Sequence, residues 1–361
     1  MDSTIRLVSD RSHYDRRDRG QLADILRPYW KDAPFSEEQR RAMYGLSAQD
    51  FQLVDNLAQA DIAVLPMTWN YYLGRRELSR AVHFVGAARR AARPILSYVS
   101  GDEGVTVPTG FDDVYVVRAS GFRSRKRPRQ MAHAVFFEDP LDRYPDLESC
   151  DRPLGAENRP MIGFCGQASL NLMKVGVDVV RGCCRNIQYH LGLRLAEPQP
   201  LYPPAFLRAR AMDSLAKSPL VATHFIARAR YRGGAKDDET RERTSREFYQ
   251  NIAETDYTLC VRGGGNFSKR FYETLAMGRI PAFVDTDCFL PFEPDLPWDD
   301  YIVRVRAKEI PSLPRRIADH FAGLTKAGLA DQKRKCRELW DEWLSFGNYH
   351  RRVARSILET Q

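Results

Sequence analysis

The chain has 361 residues, of which 43% are apolar and 28% charged, with a net charge of +8. That length is long for a single core, so two domains are expected, and the composition is that of a soluble globular protein. No run approaches the roughly 18 apolar residues a transmembrane helix needs, the first 20 residues hold no apolar segment of a secretory signal, and seven cysteines without a CxxC pair read as reduced thiols, not as a disulfide framework or a zinc site.

In chain order, Ile5–Val8 and Asp61–Pro66 read as strands. Glu77–Ala92 has helical spacing at Leu78, Val82, Val85 and Ala88, and Pro94 helps to end it. Ile95–Val99 is a strand that runs into "SGDEG"; Val114–Val117 and Ala134–Phe137 are two more. This β-α-β rhythm predicts a parallel sheet with helices on its faces. Residues 138–160, with four prolines and few apolar side chains, read as a linker. A fresh series follows: strand 161–166, helix 170–191, loop 197–204, strand 221–229, a charged connection at 230–247, strand Tyr257–Val261, a glycine loop, helix Ser268–Met277 and strand Ala282–Val284. The expected domains are 1–155 and 156–338, with 339–361 a helical segment placed to pack back on the first. Open parallel sheets bind ligands at the carboxyl ends of their strands, which gathers the loops after Val99, Phe164, Ile226 and Cys260 around one cleft.

Two clusters carry much of the positive charge, residues 120–130 and 332–338. Residues 120–130 are offered to an anionic partner or a membrane surface, or are simply a solvated loop. No nucleic-acid motif and no interleaved aromatics accompany them, so no nucleic acid is expected.

The segment "CVRGGGNFSKRFYETLAMGRIPAFV" (260–284) holds the strongest local signal. It fails the P-loop pattern, with Ser268 and Arg270 in place of the required glycine and Ser/Thr, and lacks the third glycine of a dinucleotide fingerprint. Its parts still suit a nucleoside diphosphate. Glycines allow close backbone approach, Asn266 and Ser268 are N-cap types, and the N–H groups of a helix start together with Arg270 favour an anion. Glu273, on the same face as Arg270, suits the paired hydroxyls of a ribose. The plainer alternative is a tight strand-to-helix turn with a surface Arg270–Glu273 ion pair.

Residues 246–305 resemble the exostosin-like glycosyltransferases, family 47. The matching features are Tyr249, Leu259-Cys260, Gly263–Gly265, Arg270, Glu273, Gly278, Pro281, Asp285, Leu290-Pro291-Phe292, Trp298 and Val303. "MIGFCGQ" (161–167), "ADIAVLPMTWNYY" (60–72) and "PILSYVSGDEG" (94–104) resemble other strands of that family, the last without the usual His before Asp. The resemblance implies an α/β fold of the GT-B type, two Rossmann-like domains with parallel sheets facing a central cleft. It further implies inverting, metal-independent transfer of a sugar from a nucleotide sugar, UDP-linked by preference, to a hydroxyl of a glycan or lipid-linked acceptor, as in polysaccharide synthesis. No cofactor and no metal is expected; "DTD" at 285–287 has a metal-binding spelling but lies beyond the next strand. Animal and plant members are membrane-anchored, so the expectation here is a cytoplasmic bacterial member, peripheral to the membrane at most.

Expected donor-site residues are Gly166, Gln167, Arg228, Arg262, Gly264, Gly265, Asn266, Ser268, Arg270 and Glu273. A base must take the acceptor proton. Asp102 is the first choice, with Glu103 beside it, and Glu138 and Asp139 are the second pair. Trp69, Tyr71 and Tyr72 are expected as an acceptor-side wall, with core packing as their commoner use. Rival readings are a GDP-sugar enzyme of fucosyltransferase type, an inactive glycan-binding scaffold, and an anion-binding protein acting through 120–130.

Overall fold

The computed structural model describes residues 4–30, 35–147, 158–228, 234, 237–293 and 295–360. The expected domain boundary at 155/156 and part of the charged connection at 230–247 lie outside them.

Two parallel sheets organise the chain. The first contains β1 (Ile5–Val8), β2 (Phe51–Val54), β3 (Ile62–Val64), β4 (Ile95–Val99), β5 (Tyr115–Arg118) and β6 (Gln130–Ala132), in the order β2-β1-β3-β4-β5-β6. The second contains β7 (Met161–Gln167), β8 (Ala222–Arg228), β9 (Tyr257–Val261), β10 (Ile280–Asp285) and β11 (Val303–Arg306), in the order β11-β10-β9-β7-β8. Every pairing between these strands is parallel. Central strands covered on both faces must be apolar throughout, and β3, β4, β5, β9 and β10 are buried along their whole length. Two parallel-strand sheets with helical crossovers make this an α/β fold of GT-B type.

In the second sheet, β8 lies on one side of β7 and β9 on the other. The winding reverses between β7 and β9, so the loops after these strands diverge and leave a crevice at their carboxyl ends. The end of β7 at 166–167 and the loop 262–268 after β9 border that crevice.

Two strand expectations need correction. Ala134–Phe137 forms no strand; the sixth strand of the first sheet is Gln130–Ala132. The apolar run packs sideways instead, with Phe136 against Phe346 and His350 and Phe137 stacked on Trp340. Phe51–Val54 was not expected, because as an edge strand only Phe51 is buried.

The two halves are joined by specific bonds. Arg123 donates to Asp285 (2.7 Å) and to the Cys288 carbonyl (2.7 Å), and the Ser124 hydroxyl donates to Asp287. Buried Arg118 pairs with Glu197 at 2.6 Å. The Phe346–Glu359 helix returns to the first sheet, where the Tyr349 hydroxyl donates to the Ala132 carbonyl (2.8 Å) and Arg351 pairs with Asp50 (3.0 Å). At Gly347 a methyl group would fall 2.4 Å from the Gly45 carbonyl oxygen, so glycine is required for this approach.

Candidate active site

A cavity of about 780 Å³ opens at the β7/β9 crevice. It is lined by the ends of β7 and β8, the glycine loop, the start of the Lys269–Ala276 helix, the Pro204–Ala216 helix and, from the first half, Asp102.

Arg270 lies in the first turn of the Lys269–Ala276 helix. Its guanidinium sits 4.1 Å from the Phe164 ring and 5.3 Å from that of Phe248, and Nη2 donates to the Cys165 carbonyl at 2.6 Å. A methyl at Gly166 would come within 2.7 Å of that nitrogen, so the glycine near the end of β7 makes room for the arginine. Nε is buried without a hydrogen-bond partner.

Arg208 lines the same cavity and Arg262 lies just behind it, at a neighbouring one. Arg208, on the Pro204–Ala216 helix, donates to the carbonyls of Gln167 (3.2 Å) and Arg262 (2.8 Å). Arg262, 2% exposed, donates to Gln199 Oε1 (2.6 Å) and the Gly264 carbonyl (3.1 Å), leaving Nε and Nη1 buried and unpartnered. None of the three makes an ion pair with a described carboxylate. Burial lowers the pKa of each, and for Arg208 burial together with Arg270 and Arg262 brings it to about 10. Arg208 and Arg270 line the cavity and repel one another, and Arg262, at the neighbouring cavity, adds its charge to that on Arg208; together they form an anion site.

Glu273, one turn after Arg270, is buried. Its Oε1 accepts from the Tyr249 hydroxyl (3.1 Å) and Lys269 Nζ (3.0 Å). Burial first, and the Glu273 charge second, raise the Tyr249 pKa, so the phenol keeps its proton and donates. The carboxylate is held in place by two donors and still lines the cavity. Arg270 and Glu273 therefore do not form the simple surface pair: each has its own partners and both face the same space.

The glycine loop answers to the other half of the molecule. A methyl at Gly265 would fall 1.7 Å from the Asp102 carbonyl oxygen, and one at Gly264 would lie 3.0 Å from Asp102 Oδ2. These glycines thus admit the loop after β4 as well as the cavity. Asp102 is exposed on the cavity rim.

Several expected residues sit elsewhere. Asn266 is not an N-cap. It is buried between the halves, its N–H donating to Ser120 Oγ (3.1 Å), its amide to the Gly121 carbonyl (2.8 Å), while Oδ1 accepts from Thr286 (2.7 Å). Ser268 occupies the N-cap position without a side-chain capping bond. Arg228 lines the cavity but pairs with Glu247. Glu103 turns away to Arg194 (2.8 Å) and Arg185 (3.5 Å).

Glu138 and Asp139 do not line the cavity. Glu138 is exposed beside Arg143, and Asp139 caps the Pro140–Arg143 helix and bonds Arg337 (2.9 Å). The failure of Ala134–Phe137 to form a strand removes the strand end on which they were placed. Trp69 and Tyr72 are fully buried and Tyr71 is 4% exposed. Trp69 Nε1 donates to Ser97 Oγ (2.9 Å), and the Tyr72 hydroxyl bonds His13 (2.8 Å), so these aromatics are core and not an acceptor wall. In the 120–130 stretch, Arg123 is held by Asp285, Arg125 and Lys126 lie over Phe122 and Phe289, and Arg127 and Arg129 donate to the carbonyls of Val107 and Asp113. Arg123, Ser124 and Lys126 of this exposed run tie the halves together, while Arg125, Arg127 and Arg129 bind within the first half. Asp285 and Asp287 both accept hydrogen bonds from the run.

Residues 210–320 match the Exostosin GT47 domain. Over 66 residues the chain is 32% identical to a probable glucuronosyltransferase of Oryza sativa subsp. japonica and 32% identical to a probable beta-1,4-xylosyltransferase of Arabidopsis thaliana. Over 68 residues it is 31% identical to a probable glucuronosyltransferase of Physcomitrium patens. These alignments cover 18–19% of the chain and 15–16% of the relatives, so the chain spans about one sixth of the length of the curated relatives it matches. The segment that supplies Arg262, Arg270 and Glu273 is thus similar to the Exostosin GT47 domain.

Proposed function

We propose that the chain is an inverting glycosyltransferase that moves a sugar from a nucleotide diphosphate sugar to a hydroxyl of a glycan or glycoconjugate acceptor. The observation that carries this reading is the pairing, on one helix, of Arg270 in an arginine cluster without carboxylate partners and Glu273 as a buried, oriented carboxylate, inside the segment similar to the Exostosin GT47 domain. The acceptor oxygen attacks the anomeric carbon from the face opposite the diphosphate. The bond from that carbon to the β-phosphate oxygen breaks, the electron pair leaves with the diphosphate, and the acceptor proton passes to Asp102. Arg208, Arg262 and Arg270 meet the growing charge of the leaving group, where fixed donors lower the barrier most. Glu273 accepts hydrogen bonds from the ribose. Because side chains supply the counter-charge, transfer is expected to proceed in the presence of EDTA.

UDP is the first donor nucleotide to test and GDP the alternative. The relatives' names make xylose and glucuronic acid the first sugars to try. Calorimetry should give UDP or GDP binding to the wild-type chain that Glu273→Ala removes. Binding of neither nucleotide, or the same affinity in Glu273→Ala, overturns the assignment of this cavity.

A further inference from the structure

The Leu172–His190 helix stands out because none of its 19 residues is buried. Most of its exposed apolar residues fall on one stripe, Met173, Val177, Val180, Cys184, Ile187 and, just beyond the helix, Leu191, while exposed Leu172 opens the helix off that stripe. Met173 is 82% exposed. The side turned to the protein is the more polar one. Asn186 exchanges hydrogen bonds with the Gln199 backbone, and the Tyr189 hydroxyl bonds Thr106 at 2.6 Å. The helix is attached by polar contacts and presents its apolar side outward, the reverse of an ordinary surface helix. The loop that follows widens the patch with exposed Leu193, Leu195, Leu201 and Tyr202. Contiguous exposed apolar surface of this kind marks a contact.

Charge identifies the contact. The exposed charges on one side of the stripe are Arg181 and Arg185, with Lys174 at the rim of the donor cavity and half-buried Arg194 in the loop. The two nearby carboxylates, Asp178 and Glu103, lie on the protein side, where they face Arg181 and the Arg185–Arg194 pair. An outward apolar stripe bordered along one edge by Lys and Arg fits a helix lying in the plane of an anionic membrane surface. At about 1.5 Å per residue the helix would lay about 28 Å of this stripe along the bilayer.

We propose that this helix and the loop after it seat the protein on an anionic lipid surface and so present it with a membrane-bound acceptor. The second part rests on the glycosyltransferase reading. A second cavity of about 560 Å³ links the two sites: Val180, Cys184, Leu201 and Tyr202 line it on the membrane side, and Arg262 and Gly264 on the donor side. An acceptor head group rising from the bilayer enters there and reaches the glycine loop beside Asp102.

The test is co-sedimentation of the full chain with vesicles of phosphatidylcholine and phosphatidylglycerol at low salt. Met173→Glu with Ile187→Glu is the variant, since both side chains are exposed and outside the two cavities. The wild type should sediment with anionic vesicles. The double variant should partition about tenfold less or worse, with an unchanged melting temperature and unchanged nucleotide affinity. A wild type that stays in the supernatant, or a double variant that sediments equally, overturns the proposal. So does a concentration-dependent dimer that the substitutions dissolve without any vesicle binding, which would make the stripe a helix–helix seam. Vesicle binding by a chain that binds neither UDP nor GDP would leave the membrane surface standing and remove the enzyme reading.

Discussion

At the scale of single residues, the proposed mechanism assigns some side chains to hold charge and one to move a proton. Arg208→Ala removes a charged donor from the proposed diphosphate region, worth about 1.5–3 kcal/mol for a charge-assisted bond. UDP affinity should fall by roughly 10- to 100-fold, while affinity for uridine stays near the wild-type value; equal losses for both would place Arg208 in a structural role. Asp102→Asn should keep nucleotide affinity and lose transfer, and full activity in that variant would move the base elsewhere. Arg270 and Glu273 were legible in the sequence because one short segment holds strand, loop and helix together. Arg208 was not. It lies in "PAFLRARAMDSLA", a helix with no motif, and only the packing of that helix against β7 and β9 brings it to the cavity. The aromatic triplet Trp69, Tyr71 and Tyr72 failed as an acceptor wall because residue type does not say which way a ring points.

At the scale of elements, the triple glycine has an unexpected reason. Its tightest contact is with the backbone of the loop after β4, not with the cavity. Gly265→Ala should therefore push the two loops apart, lowering both the melting temperature and the transfer rate. Gly263→Ala, whose nearest neighbour would be 3.8 Å away, should be much milder. Similar melting temperatures for the two variants would contradict this contact. The strands buried on both faces were readable as apolar runs, and so was their parallel arrangement. Edge strands β2 and β6 were not, since half-exposed edges lose the apolar pattern, whereas Ala134–Phe137 had the pattern and used it against the terminal helix.

At the scale of the whole molecule, the terminal helix is a pH-sensitive joint. Burial lowers the His350 pKa to about 3, its Nδ1 donates to the Phe346 carbonyl (2.8 Å), and Nε2 is buried without a partner. The unfolded chain takes up a proton near pH 6.5 that the folded chain refuses, so stability is full above that pH and falls as pH drops toward about 3. Burial of Asp24 works against its ionisation, but the His133 hydrogen bond and nearby positive charge hold its pKa at about 2, which adds a loss in the same direction below about pH 4. Between pH 7.5 and 4.5 the His350 contribution alone is about 2–3 kcal/mol. Melting curves of His350→Gln should show a shallower pH dependence than the wild type, and parallel curves would exclude His350 as the titrating group. The arginine cluster has a practical consequence of another kind. Guanidiniums that repel one another are relieved by any small polyanion, so pyrophosphate, sulfate and phosphate should all raise the melting temperature by mass action. The same ions would compete with a nucleotide for the cavity, so donor screens run in phosphate buffer would understate affinity and could select the wrong nucleotide.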